Sequence, residues 1–197
     1  MRVRDTQLHT YADYLIWSAA YGNELVDGIA YVRDPPSPSR LHQEIVGEVY
    51  RQLANSLHGK RARPYVAPFD VRLPKHGDAD DQIDTVVQPD LLIVCDLKKI
   101  DDRGVRGAPD WIAEVLSPST ASYDRTRKLS AYERARVPEL WLVEPVDRTV
   151  TVYRIAAGRY TRPIVLPLSG QTAITAVPGI SIDWDRVLSV ASPTQRQ

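Results

Sequence analysis

Trp111-Ile112-Ala113-Glu114-Val115-Leu116, followed by Ser117-Pro118-Ser119-Thr120 and by a helical pattern through Asp124 and Lys128 to Tyr132, is the stretch whose reading decides the fold. Its first six residues read as a strand that is apolar except at Glu114. An unpaired carboxylate in such a strand costs several kcal/mol or takes up a proton. Something near Glu114 must compensate it, and a lysine and a metal ion are both candidates.

The chain on either side alternates strand-like and helical segments. Downstream, 139–144 and 150–153 read as strands. Shorter β segments follow around 164–168 and 174–177, then a last turn at 184–188. Upstream, 86–95 reads as one strand, and its later half, Leu91-Leu92-Ile93-Val94, is apolar without alternation, as in a sheet covered on both faces. Residues 98–107 form a charged connection and 75–84 an exposed acidic loop. Pro64 and Pro74 bracket a strand over 65–73. Ser39 suits an N-cap for a helix to about Leu57, with Leu41, Ile45, Val49, Leu53 and Leu57 at intervals of four. Pro35-Pro36-Ser37-Pro38 halts regular structure before it. Asp27-Gly28 marks a hairpin within 24–32, and 10–19 reads as a short amphipathic helix. The sum is a mixed sheet flanked by helices, in the α/β (α+β) class. With no repeat or linker, 1–197 reads as one domain, and 192–197 as a frayed tail.

Composition narrows the class. At 197 residues and 22.1 kDa the chain is long enough to bury a substantial core. Its 25 basic and 25 acidic residues cancel, so bulk charge gives no argument for nucleic-acid binding and only local basic patches remain. No apolar run is long enough to cross a bilayer and the first residues are polar, which points to a cytoplasmic protein without a membrane partner. The lone Cys95 excludes an internal disulfide, and its apolar neighbours predict a buried, inert thiol.

Three residues stand out chemically: Asp90 after Pro89, Glu114, and Lys128. Strands consecutive in sequence are usually neighbours, so those bearing Asp90 and Glu114 are expected to pair. Two hard oxygen donors close together suit Mg²⁺, which activates water and offsets charge on a phosphodiester. Asp110 is the nearer aspartate, but it lies four residues from Glu114 on one strand, roughly 13 Å at about 3.3 Å per residue. The two cannot chelate one ion. At about 100° per residue, Lys128 falls within the apolar arc of Leu129, Ala131, Tyr132 and Ala135. Asp124, one turn earlier, lies near the edge of that arc, within i,i+4 reach.

The same residues resemble the PD-(D/E)XK nuclease superfamily, in which a Pro-Asp strand and a Glu-X-Lys strand build a Mg²⁺ site. Pro89-Asp90 and Glu114-Val115 match, but Leu116 stands at the lysine position. The chain more closely resembles the Uma-two family of restriction-endonuclease-like proteins. There a Glu-Val-Leu-Ser-Pro-Ser strand end precedes an Asp-X-X-X-Lys helix, a Tyr and a Trp-Leu-Val strand. Glu114 to Ser119, Asp124, Lys128, Tyr132 and Trp141-Leu142-Val143 follow that order, and the likeness extends to Glu24-Leu25-Val26-Asp27-Gly28, His42 and Pro178-Gly179-Ile180.

The resemblance implies a restriction-endonuclease-like core in which the strand lysine has migrated to Lys128. It also implies that Asp90, Glu114 and the Val115 carbonyl hold Mg²⁺, for which Mn²⁺ can substitute. The function it implies is a metal-dependent endonuclease hydrolysing DNA, with Asp90, Glu114 and Lys128 catalytic. Glu24 either completes the carboxylate cluster or faces solvent beside the turn. His42, at the edge of its helix's apolar stripe, sits where histidines are more often structural than catalytic. Arg125 and Arg127 are placed to meet phosphates flanking the scissile bond. Cutting both strands takes two sites, hence a homodimer.

Two rival functions remain: a catalytically silent binding module that keeps the fold, and a glycosidase using a carboxylate pair. A lysine aimed at the pair and no evident aromatic platform for a sugar argue against the second. The spacing of the histidines argues against zinc.

Overall fold

The computed structural model of the chain describes residues 1–17, 23–32, 38–75 and 77–191. The end of the first predicted helix, the Pro35-Pro36-Ser37 break and the 192–197 tail lie outside them. The chain begins with β1 (Arg2–Val3), α1 (Tyr11–Ile16) and the hairpin β2 (Asn23–Val26) and β3 (Ile29–Val32). Its turn places Asp27 at φ 53° and Gly28 at φ 77°, the double left-handed geometry that an Asp-Gly pair favours. Helix α2 (Arg40–Leu57) starts as the sequence predicts, with Ser39 Oγ accepting the His42 N–H at 3.2 Å.

Strands β4 (Arg63–Val66), β5 (Val71–Arg72), β6 (Val86–Val87) and β7 (Leu91–Val94) follow, then β8 (Ile100–Asp101), β9 (Gly104–Arg106) and β10 (Trp111–Val115). Helix α3 covers residues 121–134. Strands β11 (Glu139–Glu144), β12 (Thr149–Ala156), β13 (Arg159–Tyr160), β14 (Ile164–Pro167), β15 (Gln171–Ala173) and β16 (Ser181–Asp183) precede α4 (Trp184–Ala191). The described residues form one seven-stranded sheet in the order β1-β3-β2-β6-β5-β9-β8. A second runs β13-β12-β11-β10-β7-β4, with β14 also on β12, and β15 pairs β16. The second sheet is mixed: β10 runs parallel to β11 and antiparallel to β7.

Several boundaries differ from the sequence reading. The strand predicted over 65–73 breaks near Pro68, and the one over 86–95 breaks at Gln88-Pro89-Asp90. A proline has no N–H to give a ladder, and at each break the chain passes from one sheet to the other. This second break places Asp90 where the sheets meet. Residues 98–107 contain the β8–β9 hairpin rather than an irregular connection. Its Gly104 has φ 113°, and a Cβ there would lie 2.2 Å from the Asp70 carbonyl oxygen. Residues 174–177 form a turn, and Cys95 is half-buried rather than buried.

Alternation along β10 divides the core. Trp111, Ala113 and Val115 pack with Ile45, Val49 and Leu53 of α2 and with Trp141 and Trp184. Ile112 and Leu116 face the other way, toward Tyr132 of α3 and toward Val71, Val87 and Val105 of the first sheet. By the same period of two, Glu114 points into this second layer. Both faces are covered, which is why all five β10 residues are buried.

Gly104→Ala should lower stability by ~2 kcal/mol or more, since it combines a disallowed φ with a backbone clash. The midpoint of urea unfolding reads this directly, and a loss below about 0.5 kcal/mol would show that the Asp70 contact is not tight.

Candidate active site

The register Trp111↔Ile93, Ile112↔Leu92, Ala113↔Leu91, continued by one step, sets Glu114 opposite Asp90. The backbone ties the two together: Val115 N–H donates to Asp90 Oδ2 at 2.8 Å, and Asp90 N–H donates to Glu114 Oε2 at 3.4 Å. The N–H and C=O of one strand residue face the same edge, so the Val115 carbonyl also turns toward Asp90.

Lys128 arrives from α3, whose middle differs from the plain α-helix predicted. Residues Asp124–Lys128 form a π turn, a widening often found at functional sites. It buries Asp124 and Lys128 while Arg125, Thr126 and Arg127 stay exposed. Lys128 Nζ lies 2.7 Å from Glu114 Oε1, 3.1 Å from Glu24 Oε1 and 3.9 Å from Asp124 Oδ1. Its side chain is only 3% exposed.

The two readings of Glu24 are now distinguished: it is buried in the cluster, accepting from Lys128 and, at 2.8 Å, from Gln88 N–H. His42 Nε2 lies 3.2 Å from Asp90 Oδ2. An ionised carboxylate only accepts, so this nitrogen carries the proton. Asp110 stands apart and accepts the Cys95 N–H at 2.7 Å. Exposed Arg125 pairs with Glu144.

The sequence places Tyr132 in the apolar arc and at the Tyr position of the family pattern without a role at the site, yet its hydroxyl donates to Glu114 Oε1 at 2.6 Å. The i,i+4 contact expected of Asp124 with Lys128 is present, whereas nothing in the sequence singles out Tyr123, which lines the same pocket. The spacing Asp124, Lys128, Tyr132 at intervals of four was the available signal, because it puts three polar groups on one helix face.

Four carboxylates thus surround one ammonium. Burial pushes the Glu114 carboxyl up to about 8; Lys128 opposes this, while Asp124, Asp90 and Glu24 add to it. Burial also raises Asp124, to about 6. For Lys128 burial disfavours the charge, but Glu114, Glu24, Asp124 and Asp90 outweigh it and hold the ammonium protonated well above its ordinary range. Burial works to raise Asp90 as well, yet the His42 hydrogen bond, the charges nearby and the Val115 N–H bring it below the usual carboxylate value. The cluster carries more potential negative charge than its lysine neutralises.

The site opens on a pocket of about 300 Å³ lined by Glu24, His42, Asp90, Glu114, Asp124 and Lys128 among others. Among the described residues no three His, Cys, Asp or Glu side chains converge as a ready-made metal cage. Mg²⁺ does not require one, because it takes one or two carboxylates and keeps several waters.

The family model for Uma2, described as “Putative restriction endonuclease”, matches residues 11–191. The chain belongs to the Uma2 family. A solved structure similar to this Uma2 chain is that of a “putative nuclease belonging to DUF820” from Anabaena variabilis, 18% identical, with a TM-score of 0.73 over 93% of this chain and 99% of that one. At that identity the likeness establishes a shared fold. No curated protein matches the chain. No helix among the described residues is long and apolar enough to cross a membrane.

The raised Glu114 value carries a sign that can be measured in EDTA. Between the ordinary value of 4.5 and about 8 the folded state holds a proton that the unfolded state has lost. The Glu114 contribution to stability is therefore full below 4.5 and is lost as pH rises through 8. Thermal unfolding of wild type across this range should show the decline, and Glu114→Gln should make it shallower; identical slopes would contradict the assignment.

Proposed function

We propose that this Uma2 protein is a Mg²⁺-dependent endonuclease that hydrolyses DNA phosphodiester bonds. The observation that carries the reading is the under-neutralised cluster of Glu24, Asp90, Glu114 and Asp124 around Lys128 at the base of a pocket. Asp90, Glu114 and the Val115 carbonyl would hold the ion, with Mn²⁺ as a substitute. The donor set fits: Asp90 Oδ1 accepts no hydrogen bond among the described residues, and Glu114 Oε2 accepts only the long one from Asp90 N–H. When bound, the ion would activate water and offset charge on the phosphodiester.

The remaining groups hold this arrangement. Tyr132 fixes Glu114, and His42 fixes Asp90. Glu24 and Asp124 keep Lys128 charged and aimed at Glu114. A protonated Lys128 orients the attacking water or a phosphate oxygen and stabilises charge that builds in the transition state. Arg125 and Arg127, exposed on the same helix turn, contact flanking phosphates. A cut in both strands would use two copies of the site, supplied by a symmetric homodimer.

A second reading, a silent binding module, draws on one observation: Lys128 Nζ already contacts Glu114 at 2.7 Å, a buried pairing able to stand without metal. An assay separates the two. Purified protein with Mg²⁺ or Mn²⁺ should cleave DNA, while Glu114→Gln and Lys128→Met should each lose ~100-fold or more. A wild type without cleavage, or a Glu114→Gln variant that matches it, would overturn the nuclease reading in favour of the silent module.

A further inference from the structure

Glu114 and Lys128 lie under a rim. Their side chains are each only 3% exposed and that of Asp90 10%, so the space in front of them is the pocket and not an open face. Its volume of about 300 Å³ is at the low end for small-molecule sites. Pro38, Leu41, Leu116, Pro118, Pro145 and Val146 form apolar walls, and Lys128 is the one Lys or Arg side chain among the described residues of the lining. A protein that tracks a duplex instead lines its path with several cations that replace counterions along the phosphates.

Two lining residues of this pocket carry buried polar groups beside the acidic cluster: the Tyr123 hydroxyl next to Glu24, and His42, whose Nδ1 has no partner among the described residues. Both residues are more than nine-tenths buried, at 7% and 8% exposure. Burial, with Glu24 beside it, keeps the Tyr123 hydroxyl un-ionised, so it can still donate a proton. His42 Nε2 serves Asp90, which leaves Nδ1 as the second polar atom of the ring. Apolar walls with polar groups among them are what a heterocyclic base with polar edges needs. Stacked duplex DNA presents phosphates on a convex surface and keeps its bases inside, so it cannot reach side chains that are only 3–10% exposed at the base of this pocket.

The geometry points to a single unstacked nucleotide as the unit this site accepts, its phosphodiester reaching Asp90, Glu114 and Lys128 while its base or sugar lies between the apolar walls. This rests on the nuclease reading and names the substrate class within it. The nucleotide comes either from a free single strand or from a duplex that extrudes it. Extrusion costs a few kcal/mol, and least at a mismatch.

The test compares four probes on the wild-type protein: a labelled single strand, its perfect duplex, the same duplex with a central mismatch, and bis(p-nitrophenyl) phosphate as a minimal diester. Binding is read by fluorescence anisotropy in Ca²⁺, apart from turnover, and cleavage in Mn²⁺. Single strand or mismatched duplex should bind and be cleaved about tenfold better than perfect duplex. A single-strand preference alone identifies a free strand as the source, and a preference for both identifies extrusion. The salt dependence of binding should correspond to ~3 phosphate contacts, from Lys128, Arg125 and Arg127, rather than the 6–10 of a duplex-tracking protein.

Val146→Trp, at a rim position that is 79% exposed, should weaken single-strand binding about tenfold without touching the core. Perfect duplex bound and cleaved as well as single strand, with the minimal diester also hydrolysed, would overturn this inference and leave the nuclease reading standing. Absence of any diester hydrolysis together with no binding of any strand would remove both.

Discussion

The Lys128 ammonium, buried among carboxylates, is the constraint on which the rest of the arrangement depends. Glu24 comes from β2 in the first sheet, Glu114 from β10 in the second, and Asp124 from the same helix as the lysine. One charge therefore joins both sheets and α3 at a single point. Removing one partner from a buried ion pair typically costs 3–5 kcal/mol, because the other charge is left stranded. Chain segments otherwise held by short strands and proline breaks are fixed here by electrostatics. The same burial that makes the cluster costly also makes each group sensitive to its neighbours.

Much of this was legible in the sequence, for physical reasons tied to particular residues. The apolar run Trp111–Leu116 with one carboxylate identified a strand, and Leu91-Leu92-Ile93-Val94 one covered on both faces. Leucine spacing and Ser39 gave α2 its start and end, and Asp27-Gly28 gave the hairpin. The neighbour rule correctly paired the strands bearing Asp90 and Glu114, and the four-residue reach ruled out Asp110. The Uma2 resemblance and the restriction-endonuclease-like fold agree with the family match and the structural likeness.

What stayed hidden depended on contacts between segments far apart in the chain. Neither Pro68 nor Pro89 announces that the chain changes sheets there, because a proline breaks a ladder without saying where the chain goes next. Glu24 is 104 residues from Lys128, and nothing local distinguishes a buried hairpin carboxylate from an exposed one. A period of 100° per residue also missed the π turn that buries both Asp124 and Lys128. Tyr132 looked like core because its ring is core; only its hydroxyl reaches the site.

The central claim is that this cluster carries more negative charge than Lys128 neutralises and that Asp90 and Glu114 supply the ligands of one divalent cation. Calorimetric titration of Mn²⁺ into metal-stripped protein tests it most directly. The account predicts one ion bound per chain at neutral pH, with proton release from Glu114, and loss of that binding in Asp90→Asn. Absence of binding heat, or binding that Asp90→Asn leaves intact, would contradict it.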